Sequence, residues 1–284
     1  MFYCQALDWV LYWANTMKFI RTPIASLGLA FALCLPVSLT LAQPATSPPA
    51  VRSWSNDPRV QSRSYVFTNT GESLPYAVFV STKVAKDKPA PLIVALRGYG
   101  GNPGSFMYGP ALKLAEEGGY IMVAPMGYTS GDNFGNPGGG RATGVAPAKT
   151  SEYSEQDVMN VLALIRREFN IDDHRIYLMG HSQGGAGALH IADKYPSIWA
   201  GVAGLSPGAP GYQLDANAKF KDVAVLIMVG DKDGFTGSVQ RLDERMKSLN
   251  IAHEYVEVPG KDHGSIVMGG MTNVFRFFAQ HTKP

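Results

Sequence analysis

Apolar positions along this chain fall in short runs separated by stretches with helical spacing. Leu92 to Leu96 is continuously apolar, as a strand covered on both faces of a parallel sheet must be. Further strands are expected at Tyr120 to Ala124, Ile176 to Met179, Trp199 to Leu205, Val223 to Val229 and Ala252 to Val258. Between them lie helical patterns. The strongest runs from Ser154 to Phe169, with Val158, Leu162, Ile165 and Phe169 on one face and Ser154 with Asp157 as a capping box. Others are expected at Ser105 to Glu117, Ala186 to Tyr195 (stopped by Pro196), Val239 to Leu249 and Ile266 to His281. Ahead of the first buried run, Ser64 to Thr68 and Leu74 to Thr82 lean towards β structure around Asn69-Thr70-Gly71-Glu72, a hairpin pattern.

Strands alternating with helices imply right-handed crossovers and a mostly parallel sheet with helices on both faces, a three-layer α/β sandwich. Ligand sites in such a sheet lie beyond the carboxyl ends of its strands. One segment breaks the rhythm: Gly127 to Thr150 is rich in Gly, Asn and Pro and has no period. A connection this long is read as a binding loop, here one wall of the site.

The amino-terminal end changes the picture. From Met17, Lys18 and Arg21 precede an apolar stretch from Ile24 to Leu41, and Thr40-Leu41-Ala42 supplies small residues at its exit. That is the pattern of a secretory signal peptide cleaved after Ala42, with residues 1–16 as an upstream start extension. An uncleaved anchor is the alternative, opposed by Pro36 and the small-residue exit. Residues 43–60 read as a flexible lead-in rich in Pro, Ser and Ala, and 61–284 as a single catalytic domain. Both cysteines, Cys4 and Cys34, leave with the leader, so the mature chain depends on its core rather than on disulfides. The expected location is secreted or periplasmic, with no stable membrane insertion after cleavage. Charge is nearly balanced, 25 basic against 23 acidic residues, without a basic tract, which argues against a nucleic-acid partner.

The chemistry centres on Arg175 to Gly187, where an apolar run passes through Gly180-His181-Ser182-Gln183-Gly184 into a small-residue helix start. A serine on that turn has its hydroxyl held above the sheet edge. It needs a base and an orienting carboxylate. Among His174, His181, His190, His253, His263 and His281, only His263 lies in a loop just after the last strand, so it is the expected base. Asp233, following the preceding strand, is the favoured carboxylate; Asp231 and Asp262 are the alternatives. The backbone N–H groups of Gln183 and Tyr99 are the expected oxyanion donors. The turn carrying Gly98, Gly100 and Gly101 lacks the lysine and hydroxyl of a nucleotide loop, and neither a metal constellation nor a cofactor motif is visible.

With these residues in place, the chain resembles the α/β-hydrolase superfamily, nearest to the esterase branch of polyhydroxybutyrate depolymerases, feruloyl esterases and related secreted carboxylesterases. The resemblance runs from Tyr76 to His281. It includes Pro91 to Leu96, Ile121 to Pro125, Arg175 to Gly185, Tyr195-Pro196 and the loops of Gly230, Asp233 and His263. It implies ester hydrolysis through an acyl-enzyme, without a cofactor. The family usually has His-Gly where this chain has Arg97-Gly98, so Arg97 is expected to alter the pocket. Only 17 residues separate Leu205 from Val223, too few for a helical cap, so an open site is expected. Arg97, Tyr128, Phe134 and Tyr212 are candidates for substrate contact, although the aromatic residues read equally well as core or ordinary surface. Short or medium acyl esters, hydroxycinnamoyl esters and polyester chains, polymeric or plant-derived, all remain open. A peptidase of the prolyl-oligopeptidase type shares the fold and triad, but no segment here reads as its large extra domain. A non-catalytic binder on the same scaffold is disfavoured because all three triad positions are filled.

Overall fold

Eight strands form one sheet in the order β1-β2-β4-β3-β5-β6-β7-β8 among the residues described by the computed structural model, which are 53–137, 148–207, 212, 214–218, 220 and 222–284. The leader, most of the lead-in and the middle of the 127–150 segment lie outside the described residues. The strands are β1 (Val60–Val66), β2 (Ser73–Val80), β3 (Ala90–Leu96), β4 (Ile121–Pro125), β5 (Ile171–His181), β6 (Gly201–Leu205), β7 (Ala224–Gly230) and β8 (Glu254–Val258). The helices are α1 (Gly109–Gly118), α2 (Ala148–Glu168), α3 (Gln183–Lys194), α4 (Thr236–Ser248), α5 (Ile266–Gly269) and α6 (Met271–Gln280), with a 3₁₀ turn at Pro103–Phe106. β1 and β2 form the expected antiparallel hairpin, β2 joins β4 antiparallel, and every later pairing is parallel.

Even the wholly buried strands keep a period of two. Val78, Leu92, Val94, Leu96 and Val123 share a core with α2, α3 and α4, whereas Phe79, Ile93, Ala95, Met122 and Ala124 share the opposite one with α1, α5 and α6. On that second side Phe278 stacks on Tyr177 at 4.6 Å between ring centres, and its burial contributes about 2–3 kcal/mol.

Among the element boundaries that differ from the sequence expectation, three have a local reason. The 105–117 helix is split: the 3₁₀ turn ends at Phe106 and α1 restarts at Gly109, which has φ 44° and precedes Pro110, a residue that disfavours helical backbone before it. The carboxyl-terminal helix is likewise interrupted, at Gly270. α2 starts at Ala148, so Ser154 and Asp157 lie inside it and do not cap it. Both are fully buried, and their side chains accept from the amides of Tyr128 and Gly127 across the end of β4.

Parallel register brings the functional loops to one level. Leu96 pairs with Gly180, His181 with Leu205, Leu205 with Met228, and Gly230 with Val258. The loops after β3, β5, β7 and β8 therefore leave the same edge.

The tightest constraint is where α3 meets β3. A Cβ at Gly184 would lie 2.2 Å from the Arg97 carbonyl oxygen, and one at Gly180 would lie 2.1 Å from the Gly184 carbonyl oxygen. Gly234, by contrast, has nothing within 4 Å. Gly184→Ala should therefore lower unfolding free energy by at least about 3 kcal/mol, while Gly234→Ala changes it by less than about 0.5 kcal/mol. Urea denaturation of the two variants checks this, and equal midpoints would contradict the packing described.

Candidate active site

Ser182 follows β5 and precedes α3, with φ 55° and ψ −119°. A non-glycine residue at positive φ is strained by about 1–3 kcal/mol and persists only where its surroundings hold it. Here the Ser182 amide donates to the Leu205 carbonyl at 2.8 Å, and its carbonyl accepts from Ala186 at 3.0 Å. The glycines on either side admit the close approach.

Ser182 Oγ lies 2.9 Å from His263 Nε2, and His263 Nδ1 lies 2.9 Å from Asp233 Oδ2. The Asp233 side chain is fully buried and its Oδ1 accepts from the Phe235 amide at 2.9 Å. Burial alone would raise this carboxyl. The adjacent Ser206 hydroxyl, which stands outside full hydrogen-bond geometry, together with the Phe235 amide and His263, outweighs burial and holds Asp233 below its ordinary value. A carboxylate so fixed keeps the proton on Nδ1 and leaves Nε2 free to accept from the serine. Phe235 adds an edge contact to the imidazole at 4.8 Å between ring centres.

The other two carboxylate candidates are occupied elsewhere. Asp231 accepts from the Gly260 amide at 2.7 Å, and Asp262 accepts from the amide and hydroxyl of Ser265. Of the remaining histidines, His174 faces carbonyls at the chain end, His190 pairs with Glu155, His253 with Asp243, and His281 contacts the Phe277 carbonyl. His181 has a use that the motif did not reveal. Its Nε2 donates to the His263 carbonyl at 2.7 Å, tying the base's loop to the elbow across 82 positions of sequence. Burial, then the nearby His263, holds His181 down to about 4, so it is the neutral ring that makes this bond. The partner is a main-chain carbonyl, which no residue pattern announces.

The turn after β3 lies against the serine: a Cβ at Gly98 would be 3.1 Å from His181 Nδ1 and 3.5 Å from Ser182 Cβ. Gly100 N–H donates to Ser130 at 2.8 Å and Gly101 N–H to Gly98 at 3.0 Å, so neither bond uses the Tyr99 amide. The Gln183 amide opens α3, where no preceding helical turn can accept it. The Gln183 side chain donates to the Gly131 carbonyl at 3.1 Å and to Asn133 Oδ1, joining the elbow to the described part of the 127–150 segment.

The comparisons with known proteins fit this geometry. The Esterase family model matches residues 70–266. The chain belongs to the Esterase family. Feruloyl esterase B of Neurospora crassa is 32% identical over 133 residues, covering 45% of this chain and 42% of that protein, so the match spans less than half of the relative's length. A ferulic acid esterase of Anaeromyces mucronatus superposes with a TM-score of 0.63 at 19% identity, covering 82% of this chain and 96% of that one. A thermostable esterase gives 0.62 at 20% identity, covering 79% and 64%. At these identities the two structures support the α/β-hydrolase fold, which the parallel sheet and flanking helices also have.

Within this esterase fold, three of the four residues expected to touch substrate (Arg97, Phe134 and Tyr212) are buried, and Tyr128 is half-buried. Arg97 is 1% exposed, so it cannot line an open pocket as expected. Its guanidinium donates to the carbonyls of Met126 (2.8 Å), Gly98 (3.2 Å) and Thr129, pairs with Asp132 at 3.4 Å and lies over the Phe134 ring at 4.9 Å. Phe134 is wholly buried beneath it. Tyr212 is also core: its ring meets Phe220 and its hydroxyl donates to Asp193 at 3.0 Å. Tyr128 is half-buried in a cluster with Phe67 and Tyr153, and its hydroxyl donates to Glu72. Tyr99 alone of the aromatic residues considered is largely open, at 59%.

Two buried groups near the site make opposing demands as pH falls. Burial pushes Asp157 up to about 6, against the hydrogen bonds from Tyr65 and Gly127, so the folded protein binds a proton there between about pH 6 and 3.8 that the unfolded chain does not. His181 works in the other sense: its folded value of about 4 lies below the unfolded 6.5, so stability is lost as pH falls through that window. Asp157→Asn removes the first contribution and leaves the second. Between pH 7 and 4 the variant should lose about 2 kcal/mol more stability than the wild type, read from urea midpoints at the two pH values. Parallel losses would mean that Asp157 titrates like an exposed carboxyl.

Proposed function

We propose that this chain is a carboxylic ester hydrolase working through an acyl-enzyme on Ser182. The observation that carries the reading is the unbroken chain of contacts from Ser182 Oγ through His263 to a buried Asp233, each at 2.9 Å. His263 Nε2 takes the serine proton as Oγ attacks the acyl carbon, and Asp233 steadies the imidazolium. The negative charge that develops on the acyl oxygen is held by the N–H groups of Gln183 and Tyr99. His263 then returns its proton to the leaving alcohol, and water repeats the sequence on the acyl-enzyme.

Hydroxycinnamoyl esters are the first substrate class to test, because the relatives described by name are feruloyl and ferulic acid esterases. Membership of the Esterase family supports ester over amide cleavage. Short and medium acyl esters and polyester chains complete the range. We also infer, from the charged start, apolar stretch and small-residue exit of residues 18–42, that the protein is exported after cleavage behind Ala42.

A panel of methyl ferulate, acyl nitrophenyl esters, a polyhydroxyalkanoate film and a prolyl amide tests the reading. At least one ester should turn over, Ser182→Ala should abolish turnover, and Asp233→Asn should lower kcat about 10⁴-fold. Turnover of the amide alone would replace this reading with a peptidase. For export, the protein should be recovered outside the cytoplasm with Gln43 as its first residue; recovery only in the cytoplasm would count against export, and retention of the leader would count against cleavage.

A further inference from the structure

Arg97 immediately precedes the turn that carries Tyr99 and is closed off from solvent. We propose that Arg97 is a positioning residue that orients and polarises the peptide group carrying the Tyr99 N–H, and so acts on the transition state without touching substrate. The inference rests on the ester-hydrolase reading above and deepens it.

The geometry supplies the argument. The carbonyl of Gly98 and the N–H of Tyr99 belong to one planar, trans peptide group, so they point in opposite directions. Arg97 Nη1 donates to that carbonyl at 3.2 Å, and the Gly101 amide donates to it at 3.0 Å. With the carbonyl held from below, the N–H of the same group is turned the other way. A cationic donor on a carbonyl also draws charge through the amide and makes its N–H a better donor, an effect that grows where water is excluded. Arg97 itself is immobilised from a second loop by the carbonyls of Met126 and Thr129, by Asp132 and by the face of Phe134. The described charged groups that influence it are Asp132 and Asp157, both buried, so its charge is balanced inside the fold and is not screened by solvent.

Neither a lysine nor a histidine can reproduce this fork. A lysine keeps the charge and can answer Asp132, but its single ammonium cannot also span three carbonyls in different directions. A histidine is too short to reach from β3 to Met126 and Thr129. The arginine thus does here what a side chain facing the pocket does not: it connects the turn beside Ser182 to the wall formed by residues 126–134.

Arg97→Lys and Arg97→Met test the proposal, with kinetics normalised to the sites titrated by a phosphonate so that misfolded protein does not count. For the ester that the wild type prefers, kcat should fall about 10- to 100-fold in Arg97→Lys and more in Arg97→Met, with KM within about threefold. Binding of a trifluoromethyl ketone analogue of that ester should weaken by the same factor as kcat. Unchanged kcat per titrated site, or a rise in KM with kcat preserved, would overturn the proposal. An activity-free readout accompanies these: the ¹H–¹⁵N resonance of Tyr99 should move in Arg97→Lys. If the wild type hydrolyses no ester, the catalytic reading fails separately, and a Tyr99 resonance identical in wild type and variant would still refute the role of Arg97.

Discussion

The close approach of the first turn of α3 to the end of β3 is the contact on which the active-site edge depends. Gly184 stands where any side chain would strike the backbone carbonyls of Leu96 and Arg97, and Gly180 stands where one would strike Gly184 itself. Because those positions carry no Cβ, the chain can reverse within a few residues, with Ser182 at its apex in a backbone conformation that an open turn would not hold. The same proximity sets Gly98 against Ser182 Cβ, so the turn after β3 lies beside a serine that follows β5. Ser182 and the turn after β3 are thus brought together by one steric fact.

Across the rest of that sheet edge, main-chain bonds between neighbouring loops keep the other groups in range. Ser182 donates to Leu205, Ser206 to Met228 and Asp231 to Val258, each linking the residue just past one strand to the neighbouring strand, and Lys232 donates to Lys261, linking the loop after β7 to the loop after β8. His181 adds the bond to the His263 carbonyl. The imidazole between Ser182 and Asp233 is consequently carried by a loop with tethers on two sides, and few rotamers need to be frozen when substrate arrives. Asp231 and Asp262 belong to this scaffold: both hold turns, and their proximity in sequence to the reacting groups reflects that task.

Behind the turn after β3 lies a polar layer that is unusual for a buried position. Arg97, Asp132, Asp157 and Ser154 are all buried, and between them they engage the backbone of residues 126–129 and each other. Burying three charges is costly unless each finds partners, and here the partners are mostly the carbonyls and amides of a loop that has no secondary structure to satisfy them. That arrangement accounts for an arginine at a position where the resemblance leads one to expect histidine. It also explains why Ser154 and Asp157, which have the spacing of a capping box, lie within α2: the pattern is local, but the amides they serve are on another element.

What could be read from the sequence was whatever is encoded by residues close together in the chain. Continuous apolar runs specify buried strands, helical spacing specifies the buried face of α2, and Gly180-His181-Ser182-Gln183-Gly184 between a strand and a helix specifies the elbow. Loops following successive parallel strands must leave one edge, so His263 could be picked among the histidines and Asp233 favoured over Asp231 and Asp262 as partners of Ser182. The tertiary structure decided what depends on contacts between distant segments. Burial of Arg97, Phe134 and Tyr212, the bond from His181 to a carbonyl 82 positions away, and the tie from Gln183 to Gly131 leave no trace in local pattern. Side-chain type alone cannot say whether an arginine or an aromatic ring beside a site faces solvent or core. That is determined by which loop packs over it, and the loop over Arg97 is held there by Arg97 itself, by Ser154 and Asp157 of α2 and by Gln183 of α3.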